Sequence, residues 1–149
     1  MMLRWLIASL HLLALPLGLG AVWARHRALR AALDAEGLRR VFRADNLWGV
    51  AALLWIGTGL LRAFGGLEKG ASYYLHDHVF YIKMSLFALI LLLEIWPMAT
   101  LIRWRIALGR GGSIDTTPAL ALARISRIQA GLIVLIVFAA TALARGLFF

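Results

Sequence analysis

The chain has 149 residues, 62% of them hydrophobic, and a mean hydropathy of +0.84. A soluble domain of this size cannot hide so much apolar surface in a core, so its solvent is lipid. The net charge of +9 would suit nucleic acid, but its placement excludes that partner, and the absence of cysteine excludes disulfides, zinc thiolates and covalently attached c-type haem.

Runs of about 20 apolar residues cross a hydrocarbon layer, and four are present, at 5–24, 46–64, 79–101 and 129–148. The opening "MMLRWLIASLHLLALPLGLGAVWARH" also has the outline of a secretory signal, with "LGA" as a weak cleavage site, but its length favours a span. In this run His11 shares a helical stripe with Ala8, Ala14, Gly18 and Ala21. Small residues let membrane helices approach closely, which turns His11 toward the bundle. The connection "RHRALRAALDAEGLRR" reads as helical and extends the spans beyond the lipid. In the second run Asp45 shares a stripe with Gly49, Ala52 and Gly59.

The loop "GGLEKGASYYLHDH" follows, with tyrosines and histidines suited to an interface. The third run carries Lys83 and Glu94, each costing about 2.5 to 3.5 kcal/mol to insert. They stand 11 residues apart, on nearly one face but roughly 16 Å apart along the axis, too far to pair. Glu94 lies toward Asp45 and the arginine-rich connections, where it reads as a cap or a salt bridge to an arginine. The connection "GRGGSIDTTP" has the glycines and proline of a true loop, and the fourth run ends beside Arg145.

Six arginines (Arg25, Arg27, Arg30, Arg39, Arg40, Arg43) fall between the first two runs and five (Arg103, Arg105, Arg110, Arg124, Arg127) between the last two. The positive-inside rule makes both connections cytoplasmic and leaves both termini outside. Short connections favour antiparallel neighbours, so the expected fold is all-α, a single up-down-up-down four-helix transmembrane bundle over 1–149.

Counting at 1.5 Å per residue puts His11 and Lys83 about 10 Å below the outer surface, with Arg62 and Arg145 slightly nearer to it. All four helices then contribute a basic group to one layer without a balancing carboxylate, which suits an anionic ligand. Haem b is one such ligand: His11 and the neutral amine of Lys83 would bind iron, and Arg62 and Arg145 would meet the propionates. His78, in "HDH" (residues 76–78), is the alternative second iron ligand, and His76 with His78 would suit copper or zinc if that loop is extended. Each residue also has a plainer reading: His11 as a hydrogen-bonded packing residue, Lys83 snorkelling to the interface, and both arginines as helix-end anchors.

The segments "HLLALPLGLGAVWARHRALR", "RADNLWGVAALLWIGTGLLRAF", "EKGASYYLHDHVFYIKMSLFAL" and "TALARGLFF" resemble, over nearly the whole chain, a family of small bacterial four-span membrane proteins of unknown function. More remotely, the layout resembles the haem-binding membrane protoporphyrinogen oxidases and the copper-resistance membrane-protein superfamily. The oxidases have a first-span histidine and a third-span lysine tied to haem b, and His11 and Lys83 match those positions. Phe80, Tyr81 and Ile82 stand where the oxidases carry a tryptophan and a histidine, a departure that bears on oxidase activity more than on haem.

The sequence reading is therefore a b-type haem protein of the bacterial inner membrane, a candidate oxidoreductase exchanging electrons with quinone or a porphyrin-like partner. No residue stands out as general acid or base, and a homo-oligomer is left open. The competing readings are a non-haem membrane protein binding or transporting an anion or copper, and a structural membrane protein without ligand.

Overall fold

The computed structural model describes residues 1–65 and 78–145. They form four helices: α1 (Met2–Arg30), α2 (Ala35–Phe64), α3 (His78–Gly109) and α4 (Ala119–Ala144). Each is long and apolar enough to cross a membrane. At 1.5 Å per residue the 26 to 32 residues of each helix reach about 39 to 48 Å, beyond the roughly 30 Å hydrocarbon layer. Pro16 and Pro97 lie inside α1 and α3 without ending them, as membrane helices allow.

Local chemistry sets the breaks at the arginine-rich end. Asp34 caps α2 by accepting from the Gly37 amide at 2.7 Å. Gly37 is obligatory there, because a Cβ would fall 1.9 Å from the Ala32 carbonyl oxygen. The α3 terminus closes with Gly111 at φ 74°, the Gly111 amide on the Leu108 carbonyl (3.0 Å) and the Gly112 amide on that of Ala107 (2.9 Å). Asp115 then accepts from the Thr117 amide and hydroxyl, a turn that leads into α4.

Two apolar clusters show how the helices run. One gathers Ala14, Ala21, Val22, Trp48, Trp55, Ile90, Ala130, Ile133 and Ile136; the other gathers Ala28, Leu29, Val41, Leu101, Trp104, Ala119, Leu122 and Ala123. Residue numbers rise from the first cluster to the second along α1 and α3 and fall along α2 and α4. The directions alternate, which gives the expected up-down-up-down bundle. Backbones approach most closely where α1 meets α2 and α4, and where α3 meets α4. On the α1–α2 seam Gly18 lies against Trp48 and Ala51, so close that a Cβ would stand 3.3 Å from the indole ring. Ala14 and Ala21 continue that buried stripe. The outer surface is apolar, with Leu53, Leu92 and Phe138 exposed, as lipid requires.

Candidate functional site

Between the two apolar clusters lies a polar layer centred on Arg25, whose side chain is fully buried. A guanidinium has five N–H groups, and all of them are used. Nε donates to the Ser126 hydroxyl at 3.0 Å. Nη1 donates to Asp45 at 2.9 Å and Glu94 at 2.7 Å. Nη2 donates to Glu94 at 2.7 Å and to the Gln129 side-chain oxygen at 2.9 Å. The partners come from α2, α3 and α4, so one side chain of α1 ties the whole bundle together.

The partners are themselves held. The Gln129 amide donates to Glu94 at 2.9 Å and to the Ile90 carbonyl at 3.2 Å, and the Ser126 hydroxyl donates to the Leu122 carbonyl. Asp45 turns its second oxygen to Arg105 at 2.8 Å. Arg105 also donates to Asn46 and to the Phe42 carbonyl and lies over the Phe42 ring, while its buried Nε has no hydrogen-bond partner among the described residues. Two guanidiniums thus face two carboxylates, and the layer carries no net charge when all four are ionised. With its donors saturated, Arg25 cannot receive another anion without losing a partner. The layer is a clasp between helices rather than an open binding site.

This corrects one part of the sequence reading and bears out another. Arg25 and Arg105 were grouped with the cytoplasmic connections, but both lie on helices, drawn inward by Asp45 and Glu94. Glu94 does pair with an arginine beside Asp45, as its position indicated. Gln129 and Ser126 went unnoticed, although they stand on one face of α4 at a spacing of three.

At the opposite end, His11 is buried on α1 and its Nδ1 lies 2.8 Å from the Thr58 hydroxyl of α2. The Thr58 proton goes to the Leu54 carbonyl, so its oxygen accepts from His11 Nδ1–H. The His11 ring rests against the Cα face of Gly59, where a Cβ would stand 3.4 Å from Cε1, and lies 6.3 Å from Trp55. Arg62, half-buried, stands one turn beyond Thr58 on α2. Lys83 is half-buried on α3, the helix that packs on α4; His78, its first residue, is exposed, as is Arg145 just past α4. His76 lies outside the described residues. Among the described residues no group of three or more His, Asp or Glu side chains is arranged to hold a metal ion.

Four membrane-length helices fastened by a buried ionic layer define a polytopic all-α membrane protein. The chain belongs to the family described as "Predicted membrane protein (DUF2214)", which it matches over residues 3–147. No curated protein and no solved structure matches it.

Proposed function

We propose that the protein binds haem b in the half of the bundle away from the arginine-rich connections, with His11 as axial ligand through Nε2. The observation that carries this reading is the Thr58 contact. A histidine that ligates iron through one nitrogen is held and oriented by a hydrogen bond from the other, and Thr58, itself fixed on Leu54, supplies that bond. The bare Cα of Gly59 gives the ring its place. Lys83 or His78 would supply the second ligand, and Arg62 and Arg145 would meet the propionates as charge-assisted donors. Haem would supply one-electron chemistry, exchanged laterally with a quinone or a porphyrin-like partner in the lipid. The arginine-rich connections face the cytoplasm of a bacterial inner membrane, with both termini outside.

The test is the colour of the full-length protein purified in mild detergent. A Soret band that is largely lost in His11→Ala supports the reading, with Lys83→Ala moving the spectrum toward a five-coordinate or high-spin form. An unchanged Lys83→Ala spectrum removes that lysine from the iron, and unchanged haem content in Arg62→Gln and Arg145→Gln removes the propionate roles. Colourless protein that carries copper overturns the reading in favour of copper binding. Colourless, metal-free protein leaves an anion-binding or structural role.

A further inference from the structure

At the arginine-rich end, two open surface clefts of about 290 and 210 Å³ share His26 and Arg30; the first is lined by the end of α1 alone, the second lies between α1 and α4. Arg27 and Ala31 complete the first; Leu120, Ala123, Arg124 and Arg127 complete the second. Residues 26 and 30 are one turn apart on α1, and 120, 123, 124 and 127 share one face of α4, so two helices present arginines to one groove.

We propose that this groove binds the phosphate of an anionic membrane lipid. The cations in it are uncommitted. Neither Arg27, Arg30, Arg124 nor Arg127 has a hydrogen bond or ion pair among the described residues, whereas Arg25, Arg39 and Arg105 at the same end all have carboxylate partners. The floor is built. His26 is buried, donates from Nδ1 to the Ala123 carbonyl at 2.8 Å, and so joins α4 to α1 beneath the arginines. Trp23, nearly half exposed, lies 5.0 Å from the His26 ring on the side toward the apolar span. A half-exposed indole at a basic helix end marks the lipid headgroup level. Basic pockets between membrane helices at this level take phosphate headgroups, with the acyl chains lying on the apolar faces beside them. Arginine suits the role because its fork matches two phosphate oxygens.

The experiment uses the full chain in phosphatidylcholine vesicles, with tryptophan quenching by brominated phosphatidylglycerol compared with that by brominated phosphatidylcholine. The wild type is expected to prefer the anionic lipid, and Arg124→Gln/Arg127→Gln to lose up to roughly thirty-fold of that preference, the scale set by two interfacial arginines. Arg124→Lys/Arg127→Lys should recover part of it. Arg40→Gln/Arg43→Gln removes the same charge outside the groove and should leave the preference in place. Equal loss in the two glutamine pairs overturns the site in favour of general surface charge. Loss of the preference on adding inorganic phosphate at matched ionic strength overturns the lipid in favour of a free anion.

Discussion

Arg25 and Glu94, 69 residues apart in the chain, meet through two parallel hydrogen bonds, Nη1 to Oε1 and Nη2 to Oε2, each 2.7 Å. This fork-to-fork geometry is among the strongest polar contacts a protein makes, and it lies between two apolar clusters. Losing one partner there leaves a buried charge uncompensated. Arg25→Gln should cost about 3 to 5 kcal/mol, read as a large fall in the thermal midpoint of the detergent-solubilised protein. Arg25→Lys should fall nearly as far, since an ammonium has three donors for five acceptors. Arg25→Met/Glu94→Met should recover much of the loss, because Asp45 keeps Arg105 and neither member of the removed pair is stranded. A double variant as unstable as Arg25→Gln would show that the pair contributes more than the avoidance of stranded charge.

Glycines on α2 should separate by position. Gly37→Ala drives a Cβ into the Ala32 carbonyl and should cost upwards of about 2 kcal/mol or prevent accumulation of the protein. Gly49→Ala meets nothing within 4 Å and should be neutral or stabilising by up to about 1 kcal/mol. Thermal midpoints of the two variants decide; similar losses in both would contradict the geometry at Gly37.

Thr58→Val keeps the shape of the side chain and removes the acceptor for His11 Nδ1. On the haem reading this should lower haem affinity by about 10- to 100-fold, as loss of a hydrogen bond behind a ligating histidine does, and shift the reduction potential. Haem titration of the apoprotein and a redox titration measure the two effects. Unchanged values in both would reduce the contact to packing.

In the connection before α4, Asp115 is held below its usual carboxylate range by the hydroxyl and then the amide of Thr117. A depressed folded pKa means that the turn is favoured above the ordinary value near 3.8 and loses that contribution as pH falls through the depressed one. The Thr117 amide resonance should therefore titrate below pH 3.8, and Asp115→Asn should abolish that titration. A midpoint at or above the ordinary value would contradict the contact.

The sequence disclosed the bundle because lipid leaves a one-dimensional record: four apolar runs and the basic connections between them. The stripe Ala14, Gly18, Ala21 marked the face of α1 that turns into the bundle, since small residues at helical spacing let membrane helices approach, but not that α2 is the helix it meets. The clasp was only partly legible. Glu94 and Asp45 were conspicuous as carboxylates within or beside apolar runs, but Arg25 looked like one of many arginines at a helix end. What holds it inward is the level at which Asp45, Glu94, Ser126 and Gln129 meet on three other helices, a three-dimensional register that spacing along one helix does not contain. The bond between His11 and Thr58 was hidden in the same way, because threonine is too common in membrane helices to single out.

The polar layer also imposes an order on biosynthesis. Arg25 enters the membrane with α1, and the tight break between Arg30 and Ala35 delivers Asp45 next, so the α1–α2 hairpin arrives with its cation already matched. Glu94 and Arg105 come as a second opposite-charge set with α3, and Gln129 and Ser126 complete the shell only when α4 has been made. A chain stopped after α2 would hold a guanidinium with most of its donors unmet in the lipid, at a cost of a few kcal/mol. Docking of the last helix is thereby linked to burial of a cation on the first, because two of the five Arg25 donors find their partners only on α4.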